Sequence, residues 1–267
     1  MLRSKARKNC LKIAVLLAFH AGGARAELDW VTSANVDLNG DGVSEVVKLS
    51  SKEEKKQIRY KVLVGEKVVF NDLSIGDTAP TLAIVDLDKT DKFIEIVIDD
   101  WVSGMELHTF TFLRCEKNIC KSLGAIEADS PESVQFNHKG IVLADMWNGF
   151  YKKRQKYVVK KGKITKWEAP MHFVGIDAAV RESFAIYKDE SLQQPMAWLK
   201  LKTGVTVIAL KNHTKRGGKG KKTKCEVLKY KRYNFNSCDL ALVRSSSGLL
   251  GWMSYAQLNK ALDLSWK

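Results

Sequence analysis

The amino-acid sequence is poor in proline and lacks any long apolar run. Its 267 residues include 4 prolines and 18 glycines, which excludes a collagen-like chain and argues against disorder. No stretch reaches the roughly 18 consecutive apolar residues that a membrane-spanning helix requires, so an integral membrane protein is not expected. Hydrophobic residues make up 45% and charged residues 28% of the chain. The sequence therefore predicts one large or two ordinary globular domains.

Histidine is also scarce, and the usual catalytic motifs are missing. The 5 histidines form no His-x-x-His or His-Glu-x-x-His pair. The sequence contains no Gly-x-Ser-x-Gly elbow and no phosphate-binding loop. We therefore expect a protein that is not an enzyme.

One acidic group could still serve in the hydrolysis of glycans. It consists of Asp99, Asp100 and Glu106, with Trp101 between them. Adjacent residues of a strand point to opposite faces, which weakens the pairing of Asp99 with Asp100. Four tryptophans could line a saccharide groove, but we expect most of them in the core. They are Trp147, Trp167, Trp198 and Trp252.

The first 26 residues have the order of a bacterial secretory signal peptide. A basic start precedes an unbroken apolar run from Ile13 to Phe19, and small residues surround a predicted cleavage after Ala26. Cys10 precedes the apolar run, so a lipoprotein anchor is not expected. The chain is predicted to be periplasmic or secreted, with the mature protein starting near Glu27.

Charge is distributed unevenly along the mature chain. Residues 27–150 contain 13 Lys and Arg against 22 Asp and Glu, a net charge of −9. Residues 151–267 contain 25 Lys and Arg against 8 Asp and Glu, a net charge of +17. This asymmetry predicts two domains with different partners.

Export determines how the cysteines are interpreted. After the leader there remain Cys115, Cys120, Cys225 and Cys238, an even number in an oxidising compartment. Three pairings are open, and short sequence separation favours Cys115 with Cys120 and Cys225 with Cys238. Ligation of a metal by the four thiolates is the weaker alternative, because the sequence has no Cys-x-x-Cys pair and no histidine cluster.

An acidic loop over residues 37–45 is the strongest local motif. Its spacing places oxygen ligands as a hard cation requires, and calcium is the preferred ion. The predicted ligands are Asp37, Asn39, Asp41, the carbonyl of Val43, and Glu45. An EF-hand is excluded because Lys48 stands at the position of its bidentate carboxylate.

A weaker copy of this loop begins 49 residues later. Asp86, Asp88 and Asp91 are its candidate calcium ligands, but one extra residue precedes Glu95, so ligation there is less well supported. Each loop leads into a short apolar strand and a hairpin. A third unit starts at Ile141 without an acidic loop.

These repeats resemble the calcium-loop β-propeller repeats of the FG-GAP or VCBS type, as in the head of integrin α-subunits. The resemblance covers about residues 27–170 and implies blade-like antiparallel sheets stapled by calcium. Known propellers close with four to eight blades, whereas this region has room for about three. An open array, two chains that complete one another, and a small antiparallel sheet domain all remain open.

The C-terminal part resembles a bacterial Src-homology-3-like (SH3-like) domain. We expect a connection over residues 171–178 and a small closed β-domain over residues 179–267. The resemblance rests on a Lys-Thr-Gly turn at 202–204, a serine-rich hairpin at 244–248 and Gly-Trp-Met at 251–253. This region departs from the SH3-like pattern in its shortened first segment, Ala-Val-Arg, and in a long insertion over residues 211–232.

The insertion is the most basic segment and the predicted site for anionic ligands. The residues proposed to bind are Lys215, Arg216, Lys219, Lys221, Lys222 and Lys224. A second basic run, residues 152–166, contains no acid. Outside the cytoplasm such cations would attract cell-wall polymers, lipopolysaccharide or an anionic partner. Nucleic acid is not expected, because an exported protein rarely meets it.

Together these features predict a mainly β protein with a propeller-like repeat domain followed by a small SH3-like barrel. The predicted function is that of an exported, non-catalytic binding protein, which engages cell-wall peptide or an anionic envelope polymer. The alternative is a protein-interaction or inhibitor protein of the bacterial envelope. A carbohydrate hydrolase is the third interpretation.

Overall fold

The computed structural model describes residues 28–54, 57–104, 107–116, 119–212, 227–230, 233–236 and 238–264. Within these ranges the chain is mainly β, with antiparallel sheets and one short α-helix. No sheet of the described residues closes into a barrel.

Three consecutive four-stranded meanders form the N-terminal part. The first sheet contains β1 (Ser33–Val36), β2 (Glu45–Glu54), β3 (Gln57–Val64) and β4 (Lys67–Leu73). The second contains β5 (Thr81–Val85), β6 (Glu95–Val102), β7 (Leu107–Glu116) and β8 (Ile119–Ala128). A 3₁₀ turn, Pro131–Ser133, leads to the third, which contains β9 (Val134–Phe136), β10 (Ile141–Asn148), β11 (Tyr151–Lys160) and β12 (Lys163–Trp167).

A seven-stranded antiparallel sheet, the C-terminal sheet, follows in the spatial order β15-β14-β20-β19-β16-β13-β21. Its strands are β13 (Met171–Val180), β14 (Phe184–Tyr187), β15 (Pro195–Leu199), β16 (Gly204–Lys211), β19 (Leu240–Ser245), β20 (Leu250–Ser254) and β21 (Leu262–Asp263). A separate hairpin is formed by β17 (Val227–Tyr230) and β18 (Tyr233–Asn236).

The second sheet lies between the first and the third and is buried on both faces. In β6, Ile96 and Ile98 pack in one cluster with Val47 of the first sheet. Val97, between them, packs in another cluster with Val142 of the third sheet. Each fully buried aliphatic side chain contributes about 1.5–3 kcal/mol. This is why three consecutive apolar residues, 96–98, are all buried in β6, whereas strands with one solvated face alternate.

The third sheet packs in turn against the C-terminal sheet. Phe150 and Tyr151, beside the β10–β11 turn, lie in the same buried cluster as Val207 and Met253. Gly149 has φ 78 in this turn, a backbone conformation that glycine adopts without a Cβ clash. The C-terminal sheet therefore meets the third sheet at this turn.

The first sheet ends the stack with a polar face. Val47 and Val62 point inward and are 0% exposed, whereas Lys48, Ser50 and Lys61 are exposed on the same two strands. A polar outer face is what a terminal repeat of a stacked array requires for solubility.

The single helix of the described residues, α1 (Tyr255–Ala261), packs on the C-terminal core through Tyr255, Leu258 and Ala261. The Ser254 hydroxyl accepts the N–H of Gln257 at 3.2 Å and caps the helix. Among the described residues, no helix is long and apolar enough to cross a membrane.

Three expectations differ from the structure. The small closed β-domain expected over residues 179–267 is an open sheet in the described residues, because its edge strands β15 and β21 do not pair with each other. Residues 171–178, expected as a connection, lie in β13, because His172, Ile176 and Ala178 pair with β16, and Ile176 and Ala178 pack against the C-terminal core. The four tryptophans expected mostly in the core are not buried; they are Trp147, Trp167, Trp198 and Trp252. Trp167 and Trp198 are 50% and 69% exposed.

Candidate functional site

The first acidic loop connects β1 to β2 and is organised by the Asp37 carboxylate. Its two oxygens accept hydrogen bonds of 2.8–3.3 Å from four successive backbone N–H groups, those of Asn39, Gly40, Asp41 and Gly42. These donors, with Gly42 the largest cause, hold the pKa of Asp37 below its ordinary value. The carboxylate thus acts as the centre of a hydrogen-bonded turn.

The other acids of this loop are also bound within it. Glu45 accepts the N–H of Leu38 at 3.1 Å and the side-chain amide of Asn39 at 3.3 Å. Asp41 Oδ1 accepts the N–H of Val43 at 2.9 Å. The described residues include no group of three or more His, Cys, Asp or Glu side chains that could hold a metal ion. Calcium binding therefore stays a prediction of the sequence motif.

The second acidic loop binds an arginine side chain from the neighbouring strand. Arg114 of β7 stands directly opposite Glu95 of β6. Its Nε donates to Glu95 Oε1 at 2.7 Å, and its Nη1 lies 2.9 Å from Asp91 Oδ2. Burial raises the pKa of Glu95, against the opposing effects of the Leu87 N–H and the guanidinium. Arg114 supplies positive charge where the spacing had predicted calcium.

The remaining predicted ligands of this loop do not join Asp91. Asp88 Oδ1 accepts the hydroxyl and the N–H of Thr90 at 2.7 and 3.1 Å. Asp86 Oδ1 is buried without a hydrogen-bond partner, and burial raises the pKa of Asp86. A cation would satisfy that oxygen, but Asp88 already accepts hydrogen bonds from Thr90, and Asp91 pairs with Arg114. The donor set therefore does not fit one metal site.

The repeat loops lie side by side along one end of the stacked sheets. The N–H of Ile94 donates to the Leu38 carbonyl at 3.1 Å, and the N–H of Gly140 donates to the Leu87 carbonyl at 2.8 Å. His138 Nδ1 lies 2.6 Å from the Asp86 carbonyl oxygen. These bonds join neighbouring sheets, which gives the loops a structural role.

Asp99 and Asp100 contact opposite sides of the second sheet. The carboxylate of Asp99 lies 2.8 and 3.0 Å from His108 Nδ1. Asp100 accepts the Ser74 hydroxyl at 2.6 Å and the Ile75 N–H at 2.9 Å. Burial raises the pKa of Asp99, and His108 opposes it. Because the two carboxylates have separate partners, they do not form the pair that glycan hydrolysis needs.

Cys115 and Cys120 form the predicted disulfide. They stand directly opposite each other in β7 and β8. Cys238 is disulfide-bonded as well. Its predicted partner, Cys225, lies outside the described residues.

Other predicted residues also lie outside the described part of the chain. These are Glu106 and the cations of the insertion, Lys215, Arg216, Lys219, Lys221, Lys222 and Lys224. The predicted signal peptide, residues 1–26, lies outside it too.

The third sheet has a polar and aromatic face on the side away from the second sheet. Cross-strand neighbours on this face are Trp147 with Lys152, Asp145 with Arg154, and Lys156 with Trp167. The Lys156 ammonium lies 5.3 Å from the centroid of the Trp167 ring, a cation–π distance. We call this set the outer face of the third sheet.

A groove of about 480 Å³ lies where this outer face meets β13. Lys152 and Arg154 line one side, and Met171 and Phe173 line the other. The Arg154 guanidinium binds Asp145 through two hydrogen bonds of 2.7 Å, which raise the pKa of Arg154. Phe173 is 75% exposed. The groove therefore combines the Lys152 side chain and a positioned Arg154–Asp145 ion pair with an accessible aromatic ring.

His172 forms part of the groove wall and is uncharged at neutral pH. Burial and the nearby Lys153 ammonium lower the pKa of His172 to about 4. Its Nε2 lies 3.2 Å from Asn212 Nδ2. Burial and Lys166 likewise lower the pKa of Lys153.

The C-terminal sheet exposes aromatic side chains on the face opposite its core. One row of directly opposed residues crosses five adjacent strands and therefore lies on one face. It contains Phe173, Ala209, Leu242, Trp252 and Tyr187. Trp198, opposite Ala185, lies on the same face. We call Phe173, Tyr187, Trp198, Leu242 and Trp252 the C-terminal aromatic face.

Sequence reasoning missed the partners of the buried charges and the exposed ring of Phe173. The placement of Arg114 opposite Glu95 depends on strand register, which a single sequence specifies poorly. The exposure of Phe173 could have been found from the alternation of residues 171–178, had that stretch been recognised as a strand.

No protein-family model matches the chain, and neither a curated protein nor a solved structure matches it. The function is therefore inferred from the geometry of the chain itself.

Proposed function

We propose that this chain is an exported, non-catalytic binding protein of the bacterial envelope. The three N-terminal sheets serve as a scaffold. The C-terminal sheet engages cell-wall peptide or an anionic envelope polymer.

The C-terminal aromatic face is the observation that carries this proposal. Trp198 and Phe173 are 69% and 75% exposed, and Tyr187, Leu242 and Trp252 are half-buried between them. Solvated rings on a rigid sheet bind a flat or extended ligand with little loss of side-chain entropy. An exposed apolar patch of this kind marks an interaction surface.

The topology supports both family resemblances. Three successive four-stranded meanders, each joined to the next by equivalent loops, are the units that FG-GAP or VCBS-type repeats contain. In the C-terminal sheet, β16, β19 and β20 form a meander, and β21 returns after α1 to pair with β13. That arrangement supports an SH3-like module extended by the β14–β15 hairpin.

The net charges of the two halves support an anionic ligand at the C-terminal end. Residues 151–267 carry a net charge of +17, whereas residues 27–150 carry −9. A surface of one sign raises the local concentration of polymers of the other sign, with steep salt dependence.

Sedimentation with purified peptidoglycan tests the proposal. We expect the mature protein to pellet at low salt and in part at moderate salt, and Trp198→Ala to remain in the supernatant. Trp101→Ala is the matched control, because Trp101 is a 37% exposed tryptophan of the second sheet. Absence of pelleting by the mature protein at both salt concentrations would overturn wall binding. Recovery of one stoichiometric protein from envelope extract would then favour the interaction or inhibitor alternative.

A further inference from the structure

The groove between the third sheet and β13 continues onto a line of cations. Lys152, Arg154 and Lys156 alternate along β11 and therefore project from one face. Residues two apart in a strand are roughly 6.6 Å apart. A single small anion would contact one of them, whereas an extended polymer would contact all three.

Arg154 is held in position and keeps donors for a ligand. Its Nε and Nη2 bind the two oxygens of Asp145 at 2.7 Å. A guanidinium has five N–H donors, so this pair leaves several of them for another acceptor. The Arg154 side chain is 54% exposed, and its planar fork matches carboxylate and phosphate groups. Lys152, beside it, is exposed and carries a charge that can pair with an acidic group.

Aromatic rings flank these cations at both ends. Phe173 stands across the groove from Lys152 and Arg154. Trp167, 50% exposed, stands opposite Lys156 at the other end. Flat rings accept the apolar C–H face of a sugar ring. Alternation of rings and cations at this spacing fits a linear glycan with acidic substituents better than an acidic peptide, because the side chains of Asp and Glu give the rings no comparable flat apolar surface.

We propose that the outer face of the third sheet and the adjoining groove bind an acidic glycan. Its acidic groups pair with Lys152 and Arg154, and its sugar rings stack on Phe173 and Trp167. This site rests on the proposed role as an envelope-binding protein. It adds a second binding surface, which shares Phe173 with the C-terminal aromatic face but does not include Trp198 or Trp252.

Calorimetric titration of the mature protein with four probes tests the proposal. The probes are oligogalacturonate, which carries carboxylates, purified teichoic acid, which carries phosphates, neutral chito-oligosaccharide, and poly-glutamate. We expect binding of oligogalacturonate or teichoic acid, with the stronger of the two identifying the acidic group. We expect the neutral glycan and poly-glutamate to bind at least about tenfold more weakly, a difference of about 1.4 kcal/mol.

Two variants and a matched control locate the site. Lys152→Gln and Trp167→Ala should each weaken binding of the acidic glycan by about tenfold. Lys61→Gln removes the same charge from an exposed position on the first sheet, and we expect less than about a twofold change. Equal losses in Lys152→Gln and Lys61→Gln would overturn the proposal in favour of diffuse charge attraction. Equal affinity for poly-glutamate, unaffected by Trp167→Ala, would overturn the glycan assignment.

The same preparations separate this inference from the proposed function. If peptidoglycan sedimentation persists and depends on Trp198 while no acidic glycan binds, only the inference fails. If the acidic glycan binds and peptidoglycan does not, the role assigned to the C-terminal aromatic face fails instead.

Discussion

The second and third sheets have the same four-stranded meander but differ in the burial of their charged side chains. In the second sheet, Glu95 is 0% exposed and paired with Arg114, because both faces of the sheet are covered. In the third sheet, Lys152 and Arg154 are exposed on a face that no other sheet covers. The comparison teaches that position in the stack decides whether the charged groups of a repeat unit are buried in ion pairs or exposed to solvent.

Removing the buried arginine should have the largest effect on stability. Arg114→Met leaves the buried Glu95 carboxylate without its ion pair, so we expect the free energy of unfolding to fall by about 3–5 kcal/mol. Arg154→Met is the matched control, because it also removes a guanidinium that pairs with a carboxylate, that of Asp145. The Arg154 side chain is 54% exposed, and we expect a loss of about 0–1 kcal/mol. Denaturant unfolding measures both, and equal losses would contradict the contrast between the sheets.

Removal of an aromatic side chain should likewise cost much stability in the second sheet and little on the outer face of the third sheet. Phe110 is 0% exposed between the second and third sheets, so Phe110→Ala should cost about 3–5 kcal/mol. Trp167 is 50% exposed, and Trp167→Ala should change stability by no more than about 0.5 kcal/mol. Thermal unfolding of the two variants checks this. A large loss of stability in Trp167→Ala would show that the outer face has a structural role.

Calcium should distinguish the two acidic loops. The sequence motif predicts that calcium stabilises the first loop by about 2.7 kcal/mol at 100 times the dissociation constant, a shift of several degrees in Tm. Asp41→Ala should abolish the shift. Asp88→Ala should preserve it, since Arg114 already supplies the positive charge of the second loop. Identical melting in chelator and in calcium would leave the first loop as a self-contained hydrogen-bonded turn.

The last expected effect, confined to acid pH, is a dependence of stability on the protonation of His172. Its pKa is lowered to about 4, by burial first and then by Lys153 and Lys166, with Glu168 acting in the opposite direction. The unfolded histidine titrates near its ordinary value of 6.5, so its contribution is present above pH 6.5 and is lost as pH falls through 4. The stability difference between the wild type and His172→Gln should change over that window. A difference that is constant with pH would contradict the lowered pKa.

The mainly β fold and the Cys115–Cys120 disulfide could be predicted because their signals are local. Alternating strands, Gly-containing turns and a five-residue separation of the cysteines are read from neighbouring positions. The three strand-and-hairpin units of the N-terminal part follow from the same signals.

The partners of the charged groups could not be predicted, because they depend on long-range packing. Arg114 follows Asp91 by more than twenty residues and meets it only after β7 pairs with β6. The solvent exposure of Trp167 and Trp198 likewise depends on which faces other sheets cover, and tryptophan alone carries no such information. The placement of Arg114 beside Asp91 in the second loop could not be predicted for the same reason.

Peptidoglycan sedimentation of Arg114→Met and Trp198→Ala, at a temperature where both variants are folded, tests the central claim most directly. If the second sheet provides stability and the C-terminal aromatic face provides binding, Arg114→Met will pellet with the wall as the wild type does. Trp198→Ala, with a 69% exposed side chain, will keep its stability and remain in the supernatant. Equal pelleting of the two variants, or loss of binding in Arg114→Met alone, would contradict the division between scaffold and binding surface.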